Sequence, residues 1–305
     1  MDAPLKRAAA LPLIQAALRE DRARNDLTSE AVLPAGLRVR ARIIAKAHGI
    51  LAGGPVAVWT FQTVDPSLRC RLKRREGAHL ARDQTILAVE GRARSIFAAE
   101  RIALNLLSHL SGIATLTRTF ASRLRGTRAQ VFDTRKTLPG LRALEKYAVR
   151  VGGGLNHRSN LQDAILIKTN HLRALAGSAV RPPSIVHRLR LIQHAITASK
   201  RAEPRTFVEI EVTNLRQFKA ALEAKPDAIL LDNWRLSAIR RAVALRSPSA
   251  ITHHPSPLLE VSGGVTLANV RAIAKTGVDR ISIGCLTHSP PALDVSLQAI
   301  GRQRH

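Results

Sequence analysis

The sequence predicts an α/β protein with an N-terminal α+β, sandwich-like domain followed by an incomplete, open βα barrel. Three observations carry this. From Gln130 onward, short apolar runs of strand length alternate with amphipathic helical patterns, and such alternation implies parallel βαβ units. Residues 1 to 112 have a different rhythm, with helical and β-rich runs mixed. A chain of 305 residues with 45% hydrophobic residues is long enough for two cores.

The elements follow in order. An amphipathic helix is expected around Leu11 to Arg19, then β-rich runs at Leu37 to Ala47 and Gln84 to Val89. A longer helix from Ser95 to Leu110 carries Ile102, Leu106, Leu107 and Leu110 at the spacing of a buried face, and Ser111-Gly112 is expected to end it. The domain boundary is placed there, giving domains 1–112 and 113–305, with a C-terminal helix that packs back on the first domain. Six barrel strands are expected at Val131 to Thr134, Ala164 to Lys168, Phe207 to Val212, Asp227 to Leu231, Leu258 to Val261 and Arg280 to Ile283. A doubly wound sheet shares the alternation, but six strands with one helix between most pairs fit an incomplete barrel.

Composition narrows the function classes. The net charge of +26 by itself favours a polyanionic partner. The basic residues are scattered through every segment, however, aromatic residues make up only 3%, and no helix-turn-helix, zinc-finger or RRM signature occurs. Nucleic acid is therefore not the expected partner. Ten of the 48 basic residues are lysine, so a mutational bias toward arginine codons accounts for the charge without a ligand. No window holds the eighteen or so apolar residues of a membrane helix, and the N-terminus lacks a signal-peptide pattern; a cytoplasmic location is expected. Cys70 and Cys285 have no disulfide or metal-binding spacing.

In a βα barrel the catalytic groups lie at the C-terminal strand ends. Those ends carry Arg135 and Lys136, Lys168, Glu211, Asp232, then Ser262 with Gly263 and Gly264, and Gly284. Ordinary turns explain polar residues and glycines one at a time, but not two lysines and two carboxylates along one rim. Ser262-Gly263-Gly264, with a helix expected near Thr266, is either a phosphate cradle or a tight strand-to-helix turn. Glu211 and Asp232 together suit Mg²⁺, although each taken singly reads more readily as a salt-bridge partner or helix cap. Gly152-Gly153-Gly154 followed by Asn156-His157-Arg158 is open between a flexible loop and a ligand-binding one.

The stretches DTRKTLPGLRALEKYAVRVGGGLNHR (133–158), ILIKTNH (165–171), VEIEV (208–212), ILLDN (229–233), VSGGV (261–265) and SIGCLTHS (282–289) closely resemble the quinolinate phosphoribosyltransferase family. ARIIAKAHGILAGG (41–54) and AERIALNLLSHLSGIAT (99–115) extend the resemblance over nearly the whole chain. It implies the type II phosphoribosyltransferase architecture and transfer of a phosphoribosyl group from phosphoribosyl pyrophosphate to quinolinate, with decarboxylation, in NAD biosynthesis. It also implies that Arg135, His157 and Arg158 bind the quinolinate carboxylates, helped by Arg101 from a neighbouring subunit of a homodimer or higher homo-oligomer. Lys136 and Lys168 would meet the substrates' anionic groups, including the pyrophosphate. Glu211 and Asp232 would serve the ribose hydroxyls and Mg²⁺, and Ser262, Gly263, Gly264 and Gly284 the 5′-phosphate.

Three positions depart from the family pattern. Thr169 follows Lys168 where the family usually has Asp, about four extra residues sit around His253 to Pro257, and Asn25 replaces a glycine before the early Asp-x-Thr. Two other functions are compatible with parts of this picture. One is a pyrophosphorylase-like paralogue with another acceptor; the other is a basic nucleic-acid-binding protein that has kept the fold and lost catalysis.

Overall fold

The computed structural model describes residues 5–177, 185–246 and 256–302. The chain forms two compact units that interleave in sequence: Met1–Thr119 with Lys136–Gly154 and Cys285–His305, and Phe120–Arg135 with Leu155–Gly284.

The first unit holds an antiparallel sheet in the order Val295–Arg302, Arg38–Ala45, Thr85–Arg92, Arg69–Leu72. Alternation along Arg38–Ala45 turns Val39, Ala41 and Ile43 toward one face. There they meet Ala93, Ile96, Ala99, Ala103 and Leu107, which recur every three or four residues along the helix Ala93–Arg123. A helix covering one face of an antiparallel sheet is the α+β layer expected of this region. The opening helix is Arg7–Glu20.

Two elements differ from expectation. Ser111-Gly112 does not end the long helix, which continues to Arg123. The Ser111 hydroxyl is spent on Ala52, accepting from its N–H at 3.1 Å and donating to its carbonyl at 3.0 Å, so it does not compete with the helix backbone. Gly112 lies against the Pro291 carbonyl, where any Cβ would collide. The pair serves close packing, not termination. The C-terminal segment expected as a helix is the strand Val295–Arg302, paired antiparallel with Arg38–Ala45. Its apolar residues Val295, Leu297 and Ala299 recur with period two, which suits a strand.

The second unit is a six-stranded parallel sheet in the order Gln130–Phe132, Arg280–Ser282, Leu258–Ser262, Ala228–Asp232, Val208–Val212, Ile165–Ile167. The first strand in sequence pairs with the last, and each of the others pairs with its sequence neighbour. That progression belongs to a barrel opened between its first two strands, and not to a doubly wound sheet. Helices Thr169–Ala176, Ile185–Ala202, Leu215–Ala224, Leu236–Arg246 and Val270–Ala274 connect the strands. Most of the insertion around His253 to Pro257 lies outside the described residues. No helix among the described residues is long and apolar enough to cross a membrane.

Asp65 is a fixed point of the first unit. Burial alone would raise its carboxyl, but hydrogen bonds from Arg92, Ser67 and Ser95 outweigh burial and hold it well below the usual carboxylate range. A depressed folded value means that the contribution is fully present above the unfolded Asp value of about 4 and is lost as pH falls toward the folded one. Asp65→Asn is expected to cost about 1–3 kcal/mol at neutral pH and clearly less in acid. Denaturant melts at pH 7 and pH 3 check this, and equal losses at the two pH values would contradict it.

Candidate active site

Because the six strands of the second unit are parallel, their C-terminal ends lie along one rim. Asp133, fully buried just past the first strand, organises one part of it. Its Oδ1 accepts the His157 N–H and its Oδ2 the Asn156 side-chain N–H, each at 2.7 Å, while Leu155 bridges to Phe132. These bonds hold the segment 155–158 against the strand end that also carries Arg135. Arg158 donates from Nη1 to the Ala164 carbonyl at 2.8 Å. Burial, followed by the charge of Arg135, pushes the Arg158 guanidinium below its ordinary value, though a guanidinium stays cationic in proteins. The Nε–H groups of both arginines are buried and have no hydrogen-bond partner. Two neighbouring cations with donors to spare can hydrogen-bond an anionic group.

Beneath the rim lies a network that the sequence analysis did not single out. His157 Nε2 is 2.9 Å from Glu209 Oε2 and 3.6 Å from Glu260 Oε1. Glu209 and Glu260 stand on strands separated by Ala228–Asp232, yet both carboxyls reach the same His157 ring, and Glu209 Oε1 and Glu260 Oε2 are buried without a hydrogen-bond partner. Both therefore point to the same side of the sheet. Burial raises both above the ordinary carboxyl value, and for Glu260 the charge of Glu209 adds to it. Ser282 donates its hydroxyl to Glu260, and Arg280 reaches to 3.9 Å from it while lying over the Phe132 and Phe207 rings. Among the described residues His157, Glu209 and Glu260 are a grouping with the donor atoms of a metal site, but the Arg280 guanidinium already offsets part of their charge. The available signal was Glu209 and Glu260 in mid-strand, where a buried strand is expected to be apolar.

Glu211, two residues beyond Glu209 on the same face, reaches the rim. It accepts at Oε1 from the Thr169 hydroxyl at 2.6 Å and from the Thr169 N–H at 3.3 Å. Thr169 thus tethers Glu211 at the start of the helix that follows Lys168, and its hydroxyl makes a bond that an ionised Asp side chain at this position would not make to a carboxylate. Lys168 itself is exposed at that helix's N-terminus, where its N–H donates to His171 Nδ1 at 3.0 Å.

Asp232 ends its strand in register with Ser262. Asn233 then takes a left-handed conformation, donates its N–H to the Ser262 carbonyl at 2.9 Å and its side-chain N–H to Asp232 at 3.1 Å. Its side chain lies where a Cβ on Gly263 would be, and Gly263 and Gly264 both have positive φ, so the turn admits no larger residue at 263 without strain. The helix expected near Thr266 begins only at Val270. Asn269 explains the delay: its Oδ1 accepts the Thr266 N–H at 2.8 Å and its Nδ2 donates to the Gly264 carbonyl at 2.9 Å, closing a side-chain turn first. Gly284 follows the strand Arg280–Ser282 on the same rim.

The remaining candidates belong to the first unit. Arg101 is exposed on the long helix. Lys136 is exposed, and its carbonyl accepts from Thr287 Oγ1 at 2.8 Å. Two residues on, the Leu138 N–H is held at 3.2 Å by buried Glu145, which also pairs with His109 at 2.8 Å. The glycine run after Lys136 is ordered and not a free loop: Gly152 closes the helix Arg142–Gly152 and Gly153 caps it in a left-handed conformation.

The family model for the C-terminal domain of quinolinate phosphoribosyl transferase matches residues 113–298, and that for its N-terminal domain matches residues 26–111. A nicotinate-nucleotide pyrophosphorylase [carboxylating] of Mycobacterium leprae is 43% identical over 292 residues, covering 95% of this chain and 96% of its own length. A probable enzyme of the same name from Bacillus subtilis is 37% identical over 278 residues, covering 91% and 89%. The crystal structure of NadC from Streptococcus pyogenes superposes with a TM-score of 0.86 at 34% identity, covering 98% of this chain and all of its own, 100%. With both domain models matched, and relatives similar along nearly their full length, the chain belongs to the quinolinate phosphoribosyltransferase family.

Proposed function

We propose that Arg135 and Arg158 form the acceptor subsite of an enzyme that transfers phosphoribosyl from phosphoribosyl pyrophosphate to quinolinate, releasing pyrophosphate and carbon dioxide and giving nicotinate mononucleotide. The observation that carries this assignment is the pair of neighbouring guanidinium groups whose buried Nε–H groups lack partners. A planar fork matches a carboxylate in two places, which an ammonium does not.

The remaining roles follow the chemistry. The ring nitrogen forms a bond to C1 of the ribose as the C1–O bond to pyrophosphate breaks, and positive charge develops on the sugar. Lys168 at the rim and Lys136 are the cations that would stabilise the departing pyrophosphate. Glu211 and Asp232, at the ends of adjacent strands, would hold the ribose hydroxyls. The same two carboxylates fit Mg²⁺, which takes few protein oxygens and fills its shell with water and phosphate; bound there, it would neutralise pyrophosphate charge. The turn through Ser262, Gly263 and Gly264, with Gly284 on the next strand, would take the 5′-phosphate. Once ribosylated, the cationic ring nitrogen stabilises the electron pair left on the adjacent ring carbon when its carboxylate departs as carbon dioxide, and a proton then bonds to that carbon. Arg101 would complete the acceptor subsite of a neighbouring subunit in a homodimer or larger homo-oligomer.

Purified protein given quinolinate, phosphoribosyl pyrophosphate and Mg²⁺ is expected to form nicotinate mononucleotide and pyrophosphate. No product, with turnover of nicotinate or another acceptor instead, would refute this assignment. Arg158→Lys keeps the charge and loses the fork, so the quinolinate KM should rise about tenfold or more with little change in that for phosphoribosyl pyrophosphate; an unchanged quinolinate KM would remove Arg158 from the subsite. Arg101→Ala and Lys168→Ala variants, each inactive alone, should recover part of the activity when mixed under conditions of subunit exchange. No recovery despite confirmed exchange would refute sharing between subunits.

A further inference from the structure

His157 sits beside the two arginines, and the family resemblance assigns it to the substrate. Its hydrogen bonds point elsewhere. Nδ1 accepts the backbone N–H of Arg158 at 2.8 Å. An accepting nitrogen carries no proton, so the proton of the neutral ring is on Nε2, which then donates to Glu209 Oε2 at 2.9 Å. Both ring nitrogens are thus engaged by the protein itself. Toward a ligand the ring offers only its C–H edge or its face, neither of which grips a carboxylate.

The same bonds determine the backbone path at the next residue. Asp133 fixes the His157 N–H and His157 Nδ1 fixes the Arg158 N–H. Two successive amides are thereby anchored by side chains, immediately before the guanidinium that the acceptor requires. The ring in turn is oriented from below by the Glu209–Glu260 pair, itself braced by Ser282 and Arg280. Burying such a network costs stability compared with an apolar layer of similar volume, and barrel interiors are ordinarily filled by branched apolar residues. A role in aligning Arg158 gives that cost a function.

We infer that His157 is a positioning residue and not a ligand of the acceptor: locked by Glu209 and Glu260 and bound to the Arg158 amide, it aims the Arg158 guanidinium at the acceptor's carboxylate. This rests on the acceptor subsite proposed above. Glu209 and Glu260 become positioning residues of the same subsite, acting through His157.

Calorimetric titration of quinolinate into the full-length protein tests the inference, with phosphoribosyl pyrophosphate titrated separately as a control for folding. His157→Asn keeps an acceptor near the place of Nδ1, and Glu209→Gln keeps an acceptor for Nε2–H; each is expected to weaken quinolinate less than about threefold. His157→Phe and Glu209→Ala remove those groups, and each should weaken quinolinate tenfold or more while phosphoribosyl pyrophosphate binds as in the unaltered protein. The inference is overturned if His157→Asn binds quinolinate as poorly as His157→Phe while Glu209→Ala binds normally, the pattern of a direct ligand. Nitrogen-15 NMR of the unaltered protein decides the matter should a variant fail to fold. The His157 ring should keep its proton on Nε2 alone with and without quinolinate, and a ligand-induced change at either nitrogen would overturn the assignment. Failure of the unaltered protein to bind quinolinate would instead refute the acceptor subsite.

Discussion

The site depends on the pleat of a parallel strand, which sends residues two apart to the same face. On Val208–Val212 this places Glu209 and Glu211 on one side, and on Leu258–Ser262 it does the same for Glu260 and Ser262. The deeper member of each pair enters the interior and the outer member reaches the rim. Two tiers result from a single geometric rule: a buried acid pair below, and the groups available to a substrate above. Shifting either strand by one residue would turn both tiers outward.

The lower tier explains how a rim made of loops is held in place. The segment 155–158 has little regular structure of its own, yet Asp133 anchors it from the first strand and Glu209 and Glu260 hold it from the interior. The result is a pair of arginines whose approach to each other is unfavourable by charge and is maintained by the bonds around them. Pre-aligned cations bind a dianion without first having to be brought together.

Thr169 illustrates how one substitution is read differently once its neighbours are known. In the family pattern a carboxylate would stand beside Lys168, where this chain has Thr169. In the folded chain the threonine hydroxyl and amide both donate to Glu211, so one carboxylate is lost and the remaining one is tethered.

Much of this was legible in the sequence. The six strands of the second unit were located to within a residue or two, because a short apolar run between turn signals is local information, and strand ends identify the rim wherever a βα barrel is assumed. Three features were not legible. Ser111-Gly112 reads as a helix stop until Ala52 and Pro291, distant in sequence, are known to lie against it. The final segment was expected as a helix because its period-two pattern matters only when a partner strand offers an edge. The use of both His157 nitrogens depends on Glu209, Glu260 and the Arg158 amide meeting at one ring, and spacing alone cannot report such convergence. Local periodicity and the charges at strand ends therefore determined the barrel and the rim on which its charged groups gather. Only the tertiary structure decided which charged groups lie at the rim and which face one another, since that depends on distances between residues far apart in the chain.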